Sequence, residues 1–252
     1  MVDTSAVRPE SLHRLWQFAV VCLALTWVPW AVLGALGLDV NHGVAQVVFA
    51  LAASGPSSAA LVMWLNYRRD GARTRIPVRI SWSWPLDSVI LGAAPTVLAA
   101  LCLHATDVST IPRHAASVVA SVGGPIAVLG YLLISGPLSE EFGWRGYVQP
   151  RLRQRFGRIR TSVVLGSGWA LWHVPLFLLN GTGQHEIGLF TTEGVLFFIT
   201  LIPLSYTILL VSEHLRGGVW AAVITEGYSG RAYGFVSLQV RAAFLKIILP
   251  PE

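Results

Sequence analysis

The sequence predicts an all-α protein, a polytopic transmembrane helical bundle of seven to eight spans, and three observations carry that expectation. Only 12% of its 252 residues are charged, against about 25% in a soluble domain. Its mean hydropathy is +0.60. Its apolar residues gather in runs of roughly 20, long enough to cross a hydrocarbon core as helix, and the loops between them alternate in arginine content.

In chain order, the spans are expected near 15–37, 44–66, 86–105, 117–138, 161–179, 194–212 and 217–229, with an eighth apolar stretch at 232–250. The first run is too long for a signal peptide. It contains Trp27, Pro29 and Trp30 and lacks a small-residue cleavage pattern, so it reads as a retained span. Gly55-Pro56 in the second run and Pro95 in the third predict kinks, which membrane bundles tolerate where neighbours satisfy the freed carbonyls. Trp16, Trp82, Trp84 and Trp144 are placed near the membrane interfaces, where amphipathic rings settle. There is no internal repeat and no room for a separate soluble domain, so residues 1–252 form one integral membrane domain.

The arginines give the topology. Arg8 and Arg14 precede the first span, and loop 38–43 has no basic residue. Loop 67–85 carries five arginines, loop 106–116 only Arg113, loop 139–160 six, loop 180–193 none, and Arg216 follows the sixth run. The positive-inside rule then puts the N-terminus and both arginine-rich loops in the cytoplasm of a multi-pass protein of the cell membrane. The same distribution explains the net charge of +5 and pI near 9.7 without nucleic acid as a partner. Segment 146–160, basic and partly amphipathic, is expected to lie along the anionic inner leaflet, with membrane lipids as its partners. Cys22 and Cys102 fall inside apolar runs without metal-ligand spacing and read as small buried hydrophobes.

Glu140 and Glu141, side by side at the cytoplasmic end of the fourth run, are the first candidates for chemistry. Like charges at a bilayer edge are costly and mark function. On a helix, Glu141 and Arg145 share a face four residues apart and form an ion pair. Glu140, rotated by about 100° from Glu141, stays outside that pair. The bland alternative is a solvated helix end with a salt bridge.

In the fifth run, Trp169-Ala170-Leu171-Trp172-His173-Val174-Pro175-Leu176-Phe177 places one histidine among apolar neighbours. His173 either hydrogen-bonds a neighbouring helix or faces the interior and, with Glu140, holds and deprotonates a water, alone or through a metal. His185-Glu186 falls in an outer loop and is read as a loop feature. His42, His104 and His114 lie toward the outer side, and His214 is a weak cytoplasmic candidate.

Glu-Glu-x-x-x-Arg followed by Trp-Ala-Leu-Trp-His-x-Pro-Leu-Phe, from about Ser139 to Phe177, resembles the CPBP family. That family comprises CAAX prenyl endopeptidases and bacteriocin-processing or self-immunity proteins, also called the abortive-infection family. The Gly55-Pro56-Ser57 region is also similar. The resemblance implies an eight-helix bundle with a cytoplasm-facing intramembrane cavity and a CPBP-like catalytic core at 117–230. It implies that Glu140 activates the attacking water with His173, and that Glu141 and Arg145 complete the motif. The family label is metalloprotease. If a metal is used, a divalent ion such as Zn, His173 and Glu140 are its ligands here. No motif decides between that and a metal-free glutamate mechanism.

The chain departs from the family at the third motif, where a His is expected six residues after the Trp of Gly-x-x-Trp and an Asn four residues later. Here Gly217-Gly218-Val219-Trp220 is followed by Glu226 and Gly230. In the family that His would be a ligand or water-orienting group, and the Asn would help form the oxyanion site. Glycine offers no side-chain donor, and a lost oxyanion donor costs about 100- to 1000-fold in rate. The segment 231–252 reads as divergent, truncated or frame-shifted. A reading frame of the gene that encodes His and Asn at these spacings would favour the frame shift.

Two functions follow. One is an intramembrane endopeptidase, a hydrolase acting on a hydrophobic, lipidated or membrane-tethered peptide and impaired by the altered motif. The other is a catalytically inactive protein of the bacteriocin self-immunity type that binds a peptide or partner. A small transporter is disfavoured because the other spans lack deep charges and no two matching broken-helix halves are found.

Overall fold

A computed structural model describes residues 10–67, 83–102, 136–214 and 218–227, and these are helical without a strand. Helix α1 (Glu10–Ala35) is followed by α2 (Gly43–Ala53), α3 (Gly55–Tyr67) and α4 (Trp84–Cys102). Then come α5 (Pro137–Gly143), a π turn (Trp144–Val148), α6 (Gln149–Arg153), α7 (Arg158–Trp172) and a 3₁₀ turn (Val174–Leu178). Helices α8 (Gly183–Ile187), α9 (Thr192–His214) and α10 (218–227) complete it.

Three stretches are long and apolar enough to cross a membrane: Leu12–Ala35, Arg158–Leu178 and Thr192–Glu213. The pair α2–α3, bent by 49°, makes a fourth if it is one span. These match the first, second, fifth and sixth expected runs. Helices α4 and α10 fall on the third and seventh. Most of run 117–138, stretch 232–250, the arginines of loop 67–85, Trp82 and Gly230 lie outside the described residues, so the three to four candidate spans are those of the described residues alone.

The protein is a membrane protein, and its helices are dressed for lipid. Along α1, Phe18, Cys22, Thr26, Trp30 and Leu33 face inward, while Leu12, Trp16, Val20, Val28 and Val32 are exposed. The inward stripe recurs at three- and four-residue intervals, the helical repeat, and the outward residues fall at multiples of four between them. An outward face this apolar has the character of lipid contact rather than water contact.

The kink expected at Gly55-Pro56 is present. Pro56 has no N–H to continue the α2 ladder; Ser54 closes the helix by donating Oγ to the Leu51 carbonyl at 2.6 Å. Helix α3 packs between α1 and α5, and α7 packs along α9. In that second seam a Cβ on Gly166 would meet Ile202 Cα at 2.9 Å and the Leu201 carbonyl oxygen at 3.1 Å. Only glycine lets the two backbones come this close, a common way for helices to associate in lipid.

At one end of the bundle, loops meet without arginine or lysine. Val40 N–H donates to the Asn180 carbonyl at 3.1 Å and Asn41 Nδ2 to the Gly181 carbonyl at 2.8 Å. At the other end, Arg153 and Arg158 hold Glu213 at 2.7 and 3.3 Å, tying α6 and the start of α7 to the end of α9. Part of the basic stretch 146–160 is therefore engaged within the protein. Its apolar residues Val148 and Leu152 are buried.

The α7–α9 seam is testable. Gly166→Leu should lower the thermal midpoint of detergent-solubilised protein, followed by tryptophan fluorescence, with an overpacking cost of about 1–3 kcal/mol. Gly168→Ala, two residues away in open space, should leave the midpoint nearly unchanged.

Candidate active site

Helix α5 starts at Pro137, whose missing N–H is harmless at a helix start, and Ser139 caps back to the Gly136 carbonyl at 2.6 Å. Its position is set by α3. Ser57 Oγ donates to the Leu138 carbonyl at 3.3 Å. A Cβ on Gly143 would lie 2.4 Å from the Pro56 carbonyl oxygen. The glycine inside Glu-Glu-Phe-Gly-Trp-Arg is thus the point where the α3 backbone rests on α5, and it explains why the Gly55-Pro56-Ser57 region belongs with that motif.

After α5 the chain takes a π turn, closed by Gln149 N–H to the Trp144 carbonyl. Pro150 accounts for it, since proline cannot donate to Gly146 and crowds that carbonyl. The wider turn buries Trp144, Arg145, Tyr147 and Val148 in near succession, more than one α-helical face could. Trp144 is therefore not an interfacial ring, as its position in sequence suggested. It packs edge-on against Phe18 at 5.9 Å and Trp172 at 6.4 Å. Trp16 is 69% exposed.

The ion pair of the first motif is present. Arg145 Nη1 donates to Glu141 Oε1 at 2.8 Å, with both side chains fully buried. Arg145 also lies over the Trp169 ring, its Cζ 4.7 Å from the centroid. Glu140 stays outside this pair and accepts from Trp169 Nε1 at 2.8 Å.

His173 caps α7, just before Pro175 turns the chain into the 3₁₀ segment. Its Nδ1 lies 2.8 Å from the Trp169 carbonyl oxygen. A carbonyl can only accept, so Nδ1 carries the hydrogen, and in the neutral ring Nε2 is left as the acceptor. Trp172 at 4.8 Å, Phe197 at 5.4 Å and Trp169 at 5.6 Å surround the imidazole edge-on. Trp172 is held in turn, donating Nε1 to Thr26 Oγ1 at 3.1 Å while that hydroxyl donates to the Ala52 carbonyl at 3.0 Å.

Glu140 and His173, from different helices, thus meet on one residue. Trp169 binds the carboxylate with its indole and the imidazole with its carbonyl. It was the site residue missing from the sequence reading, although its place four residues before His173 put it on the same helix face.

Glu226, at the expected third-motif position, reaches the same cluster. It is buried on α10, where its carboxyl meets that of Glu141, with Glu140 and Arg145 close enough to act on it electrostatically. Phe142 packs edge-on against Trp220 at 5.6 Å, holding α10 to α5. Three carboxyl groups therefore surround one guanidinium.

Other candidates fall elsewhere. His185 lies in α8, where its N–H is capped by Thr182 Oγ1 at 3.1 Å and its ring contacts the Phe177 carbonyl. His42 pairs with Asp39 at 3.5 Å in the loop 38–43. His104 and His114 lie outside the described residues. No group of three His, Cys, Asp or Glu side chains with metal-binding geometry occurs among the described residues. Catalytic zinc takes three protein ligands, and Glu140 with His173 supplies two.

Residues 122–228 match the family described as Type II CAAX prenyl endopeptidase Rce1-like. The chain is also similar to CAAX prenyl protease 2 of Methanococcus maripaludis, 33% identical over 97 residues. That alignment covers 37% of this chain and 35% of the relative.

The buried pair gives a double-mutant test. Arg145→Met alone leaves Glu141 without its counter-charge and should cost about 3–5 kcal/mol. The double variant Glu141→Gln/Arg145→Met should recover much of that in thermal unfolding. A double variant as unstable as the sum of the two single changes would show that the pair is not coupled.

Proposed function

We propose that this chain, whose residues 122–228 match the Rce1-like family of type II CAAX prenyl endopeptidases, is an intramembrane endopeptidase acting on a hydrophobic or lipidated peptide. The observation that carries the reading is the convergence of Glu140 and His173 on Trp169. Glu140 takes a proton from water, and the hydroxide forms a bond to the scissile carbonyl carbon. The C–N bond then breaks as the proton passes to the leaving nitrogen, giving a carboxylate and an amine. His173, with Nδ1 fixed on the Trp169 carbonyl, turns Nε2 toward hydrogen-bonding the water. Trp169 is a positioning residue, and the Glu141–Arg145 pair holds the helix that carries Glu140. A divalent metal, where bound, would take Glu140 and His173 as ligands and polarise the scissile carbonyl; the steps above need none.

The end of the bundle that carries Arg14, Arg151, Arg153 and Arg158 faces the cytoplasm in this proposal. The basic-free contact between the 38–43 and 180–183 loops at the opposite end supports that orientation.

One observation favours the second reading, an inactive peptide-binding protein of the self-immunity type. Glu226 brings a third carboxyl where the family pattern has histidine, and like charges packed together oppose one another's ionised forms.

Incubation of purified protein with farnesylated and unmodified hydrophobic peptides distinguishes the two. For the enzyme, Glu140→Gln and His173→Ala should each lower cleavage by about 100- to 10000-fold, the range of a lost general acid–base group. Trp169→Phe should lower kcat by a smaller factor, on the order of tenfold, with KM little changed. Glu226→His should raise cleavage by roughly tenfold or more. No cleavage by any version, Glu226→His included, with peptide binding retained, would establish the binding protein instead.

A further inference from the structure

Between the 3₁₀ turn and α9 the chain makes a short detour, α8 and the turn 188–191, that the proposed chemistry does not use. It is tied down at both ends. Thr182 Oγ1 accepts from the His185 N–H at 3.1 Å, and His185 Nδ1 donates to the Phe177 carbonyl at 3.1 Å, which fastens α8 back onto the 3₁₀ turn. At the other end Thr191 shares its hydroxyl hydrogen between the Ile187 and Gly188 carbonyls, at 2.6 and 2.9 Å. The same oxygen accepts from the Gly194 N–H at 3.1 Å. Gly188 takes a φ of +78°, a conformation open to glycine, and a Cβ on Gly194 would strike the Gly188 carbonyl.

This clamped turn carries Phe190. None of the bonds that hold the turn involves its ring, which is 94% exposed, more than any other large hydrophobic side chain among the described residues. The fold fixes the backbone beneath the ring and leaves the ring itself uncovered.

The chain also sets its depth. Phe190 stands two residues ahead of the span Thr192–Glu213, and Leu178, likewise exposed, is the last residue of the span Arg158–Leu178. Two residues of extended chain reach at most about 7 Å, and the headgroup layer on one side of a bilayer is roughly 5–8 Å deep. Phe190 is therefore held within the headgroup layer, short of bulk water. Loop 38–43, bonded to the backbone at 180 and 181, brings exposed Leu36 and Val44 to the same end. Apolar side chains uncovered at this level gain by entering the headgroup–acyl boundary. No arginine or lysine lies in either loop, so the contact rests on apolar burial and not on attraction to anionic lipid.

We propose that α8 and the turn 188–191 form an interfacial anchor that seats Phe190 at the headgroup–acyl boundary of the leaflet nearer to that turn. The partner is the lipid surface itself, and the contact does not depend on the protein being a protease.

Spin labels on the full chain in phosphatidylcholine vesicles test it. Every version carries Cys102→Ser and keeps Cys22, which is fully buried, and the parent without a new cysteine gives the background. Labels are placed by Phe190→Cys, by Leu196→Cys on the exposed face of α9, and by His42→Cys, whose side chain is 81% exposed in loop 38–43. Each label is then read for collisions with oxygen, which concentrates in lipid, and with a water-soluble nickel chelate. The oxygen-to-nickel ratio at 190 should exceed that at 42 by roughly threefold or more and stay below that at 196. A ratio at 190 equal to that at 42 would put the ring in water, and a label at 190 shielded from both reagents would put it against protein. Either result would overturn the proposal.

Discussion

The site depends on the surroundings of one side chain, Trp169. Its indole N–H holds Glu140, its carbonyl holds His173 and its ring face carries Arg145. A buried carboxylate and a buried guanidinium are both expensive, and the indole meets one with its polar edge and the other with its electron-rich face. Because all three contacts come from one rigid residue on α7, the relative placement of α5 and α7 is fixed where chemistry would occur. Such rigidity is what a pre-organised site needs.

The glycines explain how the helices come near enough for those contacts. Gly143 lets α5 rest on the backbone of α3, and Gly166 lets α7 rest on α9. In lipid there is little hydrophobic gain from bringing apolar helices together, so close backbone approach and interhelical hydrogen bonds supply the association. Thr26, linking Trp172 to the Ala52 carbonyl across three helices, is one such bond.

Much of this was legible in the sequence. Apolar run length gave the positions of α1, α7 and α9, and Gly55-Pro56 gave the bend, because these features depend on local chain chemistry. The four-residue spacing of Glu141 and Arg145 gave their ion pair for the same reason. The common partner of Glu140 and His173 was less visible: Trp169 is one of several tryptophans in apolar runs, and only packing shows which of them turns its N–H inward. Trp144 was misplaced because nearness to a span end does not say which way a ring faces, and the π turn buries it against Phe18 and Trp172. Glu226 was singled out by the family resemblance at the third motif, yet its contact with Glu141 needed the packing of α10 on α5.

The two faces of α1 have a consequence for how such a chain can change over time. One stripe is exposed and apolar, and on a lipid-facing surface leucine, valine and phenylalanine are nearly interchangeable. The opposite stripe includes Thr26, a single hydroxyl that must both give and receive a hydrogen bond, a role that valine of the same shape cannot fill. Tolerance of replacement along this helix should therefore rise and fall with each turn, as a wave whose troughs mark the residues behind the imidazole.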